Sequence, residues 1–292
     1  MHAADKSFKK ISATKIHGQG KVEFCHRDGS TNLSHLYQRD PVRILFPNFS
    51  ADEIKQGVIV TTSGGMVGGD TISLDLTFGE KTSAMVMAQA AEKIYGSSRY
   101  DSFINVDLKA KSMAWAEYLP QETILFDGAR LNRTTRIEAA TGAQILAGEI
   151  IVFGRQGRGE SFTSGFLRDA WEVKRDQKLI WADTLLLKNN VSKVINHPTC
   201  FDGASVVATV ILICDDVESY VGEAQGILRD NCTTIRAGAS LINGVLVARF
   251  IGKDALQLRK SFSLLWQSLR YSVATLPKSC LLYTSPSPRD RG

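Results

Sequence analysis

The sequence has no apolar run of about eighteen residues, the length needed to cross a bilayer, and residues 1–10 hold no apolar segment of the secretory-leader kind. Neither a membrane span nor an exported precursor is expected, and the chain is read as cytoplasmic. Histidine is scarce: His2, His17, His26, His35 and His197 are scattered and form no recognisable ligand or nucleophile-base pattern. The five cysteines, Cys25, Cys200, Cys214, Cys232 and Cys280, are odd in number and never spaced as Cys-x-x-Cys. That suggests neither a disulfide framework nor a zinc site and leaves reduced, mostly buried thiols as the expectation. The net charge of +5 comes from Lys and Arg dispersed among acids. No basic stripe interleaved with aromatics is present, so nucleic acid is not an expected partner.

What is present is apolar residue in ordinary globular proportion, 43%, enough for a sizeable core in 292 residues. From about Val22 to Phe153 it comes as short runs broken by Gly, Asn and Asp, with period-2 alternation such as Ile104, Val106, Leu108. Strands are expected at Gly57 to Thr62, Thr71 to Phe78, Ser83 to Gln89, Ile124 to Phe126, Ile145 to Phe153 and Lys178 to Leu187. Their spacing excludes a repeating βα pattern, and no internal repeat is visible.

The last third changes character. Val206 to Cys214 is a β-branched strand, and Asp215-Asp216 supplies cap residues for a helix with Val217, Tyr220, Val221, Ala224, Ile227 and Leu228 on one face. Asn243-Gly244 between Thr233–Ile242 and Val245–Ile251 suits a type I′ hairpin, because both residues tolerate positive φ. Asp254 can cap a last helix lined by Leu258, Phe262, Leu265, Trp266, Leu269 and Val273, which ends before Pro277. The expected fold is mainly β with two helices (α+β): a β-rich region over 15–190 and a β-α-β-β-α unit over 204–277, packed together as one domain over 1–277. Residues 278–292 resemble one reading frame of a transposon-type sequencing adapter and are set aside as a non-native tail.

The segment Ser63-Gly64-Gly65-Met66-Val67-Gly68-Gly69-Asp70 suggests a phosphate cradle. A P-loop, however, needs Lys and Ser/Thr after its last Gly and a helix there, whereas Asp70 leads into a strand. The glycines are better read as positive-φ and close-approach positions in a β-to-β crossover. His197-Pro198-Thr199-Cys200 is read as a loop beside a buried thiol rather than a metal site, and Cys25-His26 as strand neighbours that point to opposite faces. Asp70, Glu149, Glu160 and Asp183 sit in or at the ends of strands among apolar neighbours; separate surface or ion-paired acids are the plain alternative for each.

Four segments in order carry a resemblance: Gly64-Gly65-Met66-Val67-Gly68-Gly69-Asp70, Gln89-Ala90-Ala91-Glu92-Lys93-Ile94-Tyr95, Leu119-Pro120-Gln121-Glu122-Thr123-Ile124-Leu125-Phe126 and Gly154-Arg155-Gln156-Gly157-Arg158-Gly159-Glu160. With Ala237-Gly238-Ala239-Ser240 and Val247-Ala248-Arg249-Phe250, the chain resembles the UreD (UreD/UreH) family of urease accessory proteins from roughly Lys15 to Pro277. It departs in lacking the Pro-Arg-Ile-Trp-like ending of the family, in Glu92 where some relatives have a small residue, and in Gly96 where Arg is common.

The resemblance implies a non-enzymatic scaffold or chaperone of metallocentre assembly in nitrogen metabolism. It binds apo-urease and UreF, recruits the GTPase UreG through UreF, and lets Ni²⁺ pass in transit with no tightly bound cofactor. It also implies that Asp70, Glu149 and Asp183 are interior acids, and with Glu160 they are the candidate transient metal ligands. Carboxylates suit transit, since imidazole and thiolate would hold Ni²⁺ more tightly. A β-rich metal-dependent hydrolase using Asp70 and Glu149 as an acid/base pair is the alternative from another class, and a generic β-rich interaction protein is a third.

Overall fold

The computed structural model describes residues 15–47 and 53–277. The chain opens with a hairpin of β1 (His17–Arg27) and β2 (Ser30–Arg39), then crosses to a second made of β3 (Val42–Leu45) and β4 (Lys55–Thr61). It then winds through β5 (Thr71–Phe78), β6 (Ser83–Ala88), the short β7 (Glu92–Ile94), β8 (Ser102–Ala110), β9 (Trp115–Leu119), the short β10 (Thr123–Leu125), β11 (Arg130–Ala139), β12 (Gln144–Phe153) and β13 (Gly165–Arg175). β14 (Lys178–Asn189) folds back on β13, and a short helix α1 (Val191–Ile195) follows. β15 (Val206–Ile213), α2 (Val221–Asn231), β16 (Arg236–Ile242), β17 (Val245–Gly252) and α3 (Ala255–Ala274) complete the fold. One sheet has seven strands in the order β14-β13-β11-β8-β5-β1-β2. The other has ten, in the order β16-β17-β15-β12-β9-β6-β4-β3, with β10 beside β12 and β7 beside β10.

From β4 to β13 the chain changes sheet at each long strand, and successive visits to a sheet pair in parallel: β5, β8, β11 and β13 in the first, β4, β6, β9 and β12 in the second. The result is a flattened coil with stacked turns. The turns at 78–83, 110–115 and 139–144 hold a positive-φ residue at the same step, Lys81 (φ 57), Met113 (φ 57) and Gly142 (φ 76). Lys81 N–H donates to the Ser112 carbonyl at 3.2 Å and Met113 N–H to the Gly142 carbonyl at 3.1 Å. On the opposite edge Met66, Ile94, Leu125 and Phe153 form a buried ladder. This corrects the expectation of no internal repeat. The turn sequences Gly-Glu-Lys-Thr, Lys-Ser-Met-Ala and Ala-Thr-Gly-Ala have no residue type common to all three, so the repeat shows in backbone and burial rather than in sequence.

The two sheets face each other over one apolar layer, and α2 and α3 cover the far side of the second sheet over another. β12 lies between the layers. Ile145, Ala147 and Ile151 face the first sheet while Leu146, Ile150 and Val152 face the helices, so the strand is buried on both sides and shows no polar alternation. Gly148 lets α3 approach closely, since a Cβ there would lie 2.7 Å from the Phe262 ring. α3 buries the expected stripe of Leu258, Phe262, Leu265, Trp266 and Leu269, and Asp254 caps it by accepting from the N–H groups of Leu256 (2.8 Å) and Gln257 (3.0 Å). Each such side chain withdrawn from water stabilises by about 1.5–3 kcal/mol.

The Asn243-Gly244 turn has the expected positive φ at both positions, 48 and 78. Three details differ. Asp216 leads into a single 3₁₀ turn, Val217–Tyr220, without a side-chain cap bond, and the α-helix begins at Val221. The short helix α1 and the strand β13 were not expected. Of the described thiols only Cys214 is buried, while Cys200 is exposed and Cys25 and Cys232 are half-buried. No helix among the described residues is long and apolar enough to cross a membrane, and the tail at 278–292 lies outside the described residues.

A charged clasp fixes α3 to the second sheet. Glu117 and Arg270 have no exposed side-chain surface and meet at 2.8 Å; Glu117 also accepts from the indole N–H groups of Trp115 (2.6 Å) and Trp266 (3.2 Å), and Arg270 reaches Glu53 at 3.0 Å. Burial pushes the Glu117 carboxyl up, and the Arg270 charge works against that rise. Removing one partner of such a pair leaves an uncompensated buried charge. Glu117→Ala is therefore expected to cost about 3–5 kcal/mol in urea unfolding; a loss below about 1 kcal/mol, typical of a surface pair, would contradict this role.

Candidate functional site

Three of the Gly- and Gln-containing segments meet at one place because the coil stacks them. Ser63-Gly64-Gly65, Gln89 to Lys93 and Pro120-Gln121 ring a cavity of about 170 Å³, with Tyr118, Thr123 and Arg133 deeper inside. Gly65 is required there: its φ is 135, and a Cβ would lie 2.6 Å from the Lys93 carbonyl. Met66 N–H donates to that same carbonyl at 2.8 Å, and Tyr95 Oη donates to the Gly64 carbonyl at 3.0 Å. The glycine run is thus a crossover that stacks on the next coil, as its context suggested. Glu92 lines the cavity and accepts from Thr61 Oγ1 at 2.9 Å. Its carboxyl is pushed up by burial, with the Thr61 bond acting the other way.

Beyond this cavity lies an ionic cluster between the sheets. Arg133 on β11 and Asp169 on β13 are register partners in the first sheet, and Glu149 on β12 faces them from the second. Arg133 Nε donates to Asp169 Oδ1 at 2.6 Å, Nη1 donates to Thr123 Oγ1 at 3.0 Å, and Nη2 lies 2.5 Å from Glu149 Oε2 as an ion pair. Trp171 Nε1 donates to Glu149 Oε1 at 2.7 Å.

All three charged residues are buried, and the two carboxyls are hydrogen-bonded to each other. Burial pushes Glu149 well above the ordinary carboxyl range against the pull of Arg133. Burial acts to raise Asp169 too, but the Arg133 charge and the bond from Glu149 hold it below its ordinary value. Two buried carboxyls share one guanidinium, so the charged form of Glu149 is disfavoured while that of Asp169 is favoured.

On the far side of the cluster is a second cavity of about 540 Å³, at the open end of the sandwich between β14 and β15 to β17. Asp183 and Arg249 meet across it at 2.6 Å, with side chains 36% and 55% exposed. Its lining includes Thr209 and Leu185, the antiparallel register partners of Glu149 and Asp169. The buried carboxyls are therefore one strand away from the second cavity, and Arg133 borders the first.

The family model described as UreD urease accessory protein matches residues 17–281. The chain belongs to the UreD family. It is similar to the urease accessory protein UreD of Magnetococcus marinus (strain ATCC BAA-1437 / JCM 17883 / MC-1), 37% identical over 271 residues that cover 92% of this chain and 94% of the relative. The UreD of Methylobacterium sp. (strain 4-46) is 35% identical over 83% of this chain and 86% of its own. That of Rhodopseudomonas palustris (strain BisA53) is 34% identical over 85% and 86%.

In this UreD-family chain the four candidate acids are not gathered together. Glu149 belongs to the buried cluster and Asp183 to the second cavity. Asp70 is buried but borders neither cavity; its carboxylate accepts from the N–H groups of Ile16 (3.1 Å) and Val67 (2.9 Å) and braces the glycine-rich loop. Glu160 pairs with Arg155 near the surface, and that bond holds its carboxyl below the ordinary range. Asp70 and Glu149 thus share no cavity in which to act as an acid/base pair. His197 Nδ1 accepts from Thr199 N–H at 3.3 Å, and the exposed Cys200 corrects the expectation of a buried thiol beside it. Among the described residues no group of three or more His, Cys, Asp or Glu is arranged to hold a metal.

Arg133 and Asp169 were missed in the sequence, yet a signal was present. In Leu131-x-Arg133-x-Thr135-x-Ile137 and Leu167-x-Asp169-x-Trp171-x-Val173 each occupies the apolar phase of an alternating strand.

The two carboxyls give opposite pH dependences. The folded pKa of Glu149 is raised, so its contribution to stability is complete below its ordinary value of 4.5 and is lost as pH rises through the raised value. Asp169 is lowered, so its contribution is present above 3.8 and is lost as pH falls through the lower folded value. Glu149→Gln resembles the protonated acid and cannot ionise. Thermal unfolding across a pH series is expected to show the variant gaining on the wild type as pH rises; parallel curves would contradict a raised Glu149 pKa.

Proposed function

We propose that the chain is a non-catalytic scaffold of urease maturation, which binds apo-urease and UreF, meets the GTPase UreG through UreF in the cytoplasm, and lets Ni²⁺ pass between its two sheets. The observation that carries this reading is the polar seam: two cavities on either side of buried Glu149 and Asp169, in an otherwise apolar sandwich. The UreD-family membership and the similarity to urease accessory proteins support the urease part of it.

The electrostatic argument is direct. A hydrated dication loses solvation on entering a medium of low dielectric, and fixed carboxylates along the way offset part of that cost. Oxygen ligands also release Ni²⁺ more readily than imidazole or thiolate. Glu149 and Asp183 are the route carboxylates in this reading; Asp70 and Glu160, occupied by backbone N–H groups and by Arg155, brace the loops around it.

The test is a reconstituted activation in which UreF and apo-urease are pulled down with each variant while urease nickel is measured. Glu149→Gln, which cannot release a proton to become an anionic ligand when a dication arrives, and Asp183→Asn, which removes a charge, are expected to retain both partners and to lower nickel content several-fold, on the order of 1 kcal/mol per lost contact. Asp183→Glu should retain part of the loading. Normal nickel content in Glu149→Gln with intact complexes would overturn the route, and loss of the complexes would assign these acids to folding.

A further inference from the structure

Arg133 occupies the position a dication would need. Its guanidinium takes up the facing oxygens of Asp169 and Glu149, at 2.6 and 2.5 Å, and it forms the inner wall of the first cavity. A cation moving from that cavity toward Thr209 and Asp183 meets a like charge and two carboxyls already engaged. The same cavity is lined by a carboxyl, Glu92, which accepts from the Thr61 hydroxyl at 2.9 Å; the charge of the adjacent Lys93 acts on it, but no ion pair to Glu92 forms among the described residues. Burial disfavours the charged form of Glu92, and a cation turned toward it from within the cavity would offset that cost. Glu92 and Arg133 both line this cavity of about 170 Å³.

We infer that Arg133 is a movable bolt: its guanidinium closes the seam when it sits between Asp169 and Glu149, and opens it by turning into the first cavity to pair with Glu92. This rests on the reading of the seam as a nickel route. It adds that Glu92 is the positioning residue for the open state and that transfer is gated by one arginine rather than by movement of the sheets. Turning one side chain leaves the backbone ladders of the coil intact, and a pair with Glu92 would offset part of the cost of breaking those with Asp169 and Glu149.

The experiment is a double-mutant cycle on the complex with UreF and apo-urease, which follows the rate at which urease gains nickel. Glu92→Gln leaves the bolt without its open position and is expected to slow transfer about tenfold, within the coupling range of interacting charged residues. Arg133→Gln removes the bolt; transfer should be at least as fast as in the wild type, and adding Glu92→Gln to it should change nothing. Should Arg133→Gln fail to fold, Arg133→Lys replaces it, since Lys cannot span both carboxyls, and the effect of Glu92→Gln should shrink to below about threefold there.

A wild-type rate in Glu92→Gln overturns the bolt. So does an equal slowing by Glu92→Gln with and without Arg133, which would make Glu92 a simple attractor of cations at the mouth. Glu149→Gln run alongside separates the two ideas: slowed transfer there with an indifferent Glu92→Gln removes the bolt alone, whereas normal transfer in Glu149→Gln removes the route and the bolt with it.

Discussion

The ion pairs that Arg133 makes with Asp169 and Glu149 govern how the two sheets can meet. They lie in the apolar layer, where an unpaired charge would be costly, so each group requires the others. Their geometry ties β11 and β13 of one sheet to β12 of the other at a fixed register, with Trp171 and Thr123 completing the hydrogen bonds. Because that strand also carries the contacts to α3, a shift of Glu149 would be felt on both faces of the second sheet.

The coil gives this arrangement its precision. Parallel strands that alternate between sheets bring residues far apart in the chain into adjacent registers, and the stacked turns leave little freedom to slip. The Glu117–Arg270 clasp does for the helix layer what the Arg133 cluster does for the inter-sheet layer. Two buried ion pairs, one on each face of the second sheet, set the positions of the layers around it. The glycine-rich crossover belongs to the same design, with Gly65 admitting the carbonyl of the next coil at the rim of the first cavity.

The C-terminal third was legible because its signals are local: the Asn243-Gly244 turn, the Asp254 cap and the stripe from Leu258 to Leu269 depend on neighbours a few residues away. Strands β5, β6, β12 and β14 were readable from alternation or continuous apolar runs. The coil was not, since its repeat is a matter of φ and burial at Lys81, Met113 and Gly142 rather than of residue type. The site was half visible. Glu149 stood out as an acid within an apolar strand, but its partners come from β11 and β13, and no local pattern brings Arg133 and Asp169 to it. Asp70 drew attention through the glycine run, and its two backbone partners are set by the path of the loop and the strand before it.

The central claim is that a dication travels between the sheets. Anomalous diffraction at the nickel edge, from crystals of the complex with UreF loaded with Ni²⁺, tests it most directly. The account predicts nickel density inside the sandwich, within coordination distance of Glu149 or Asp183. Nickel found only on the outer surface, with the seam between the two cavities dry and the Arg133 pairs unchanged, would contradict it.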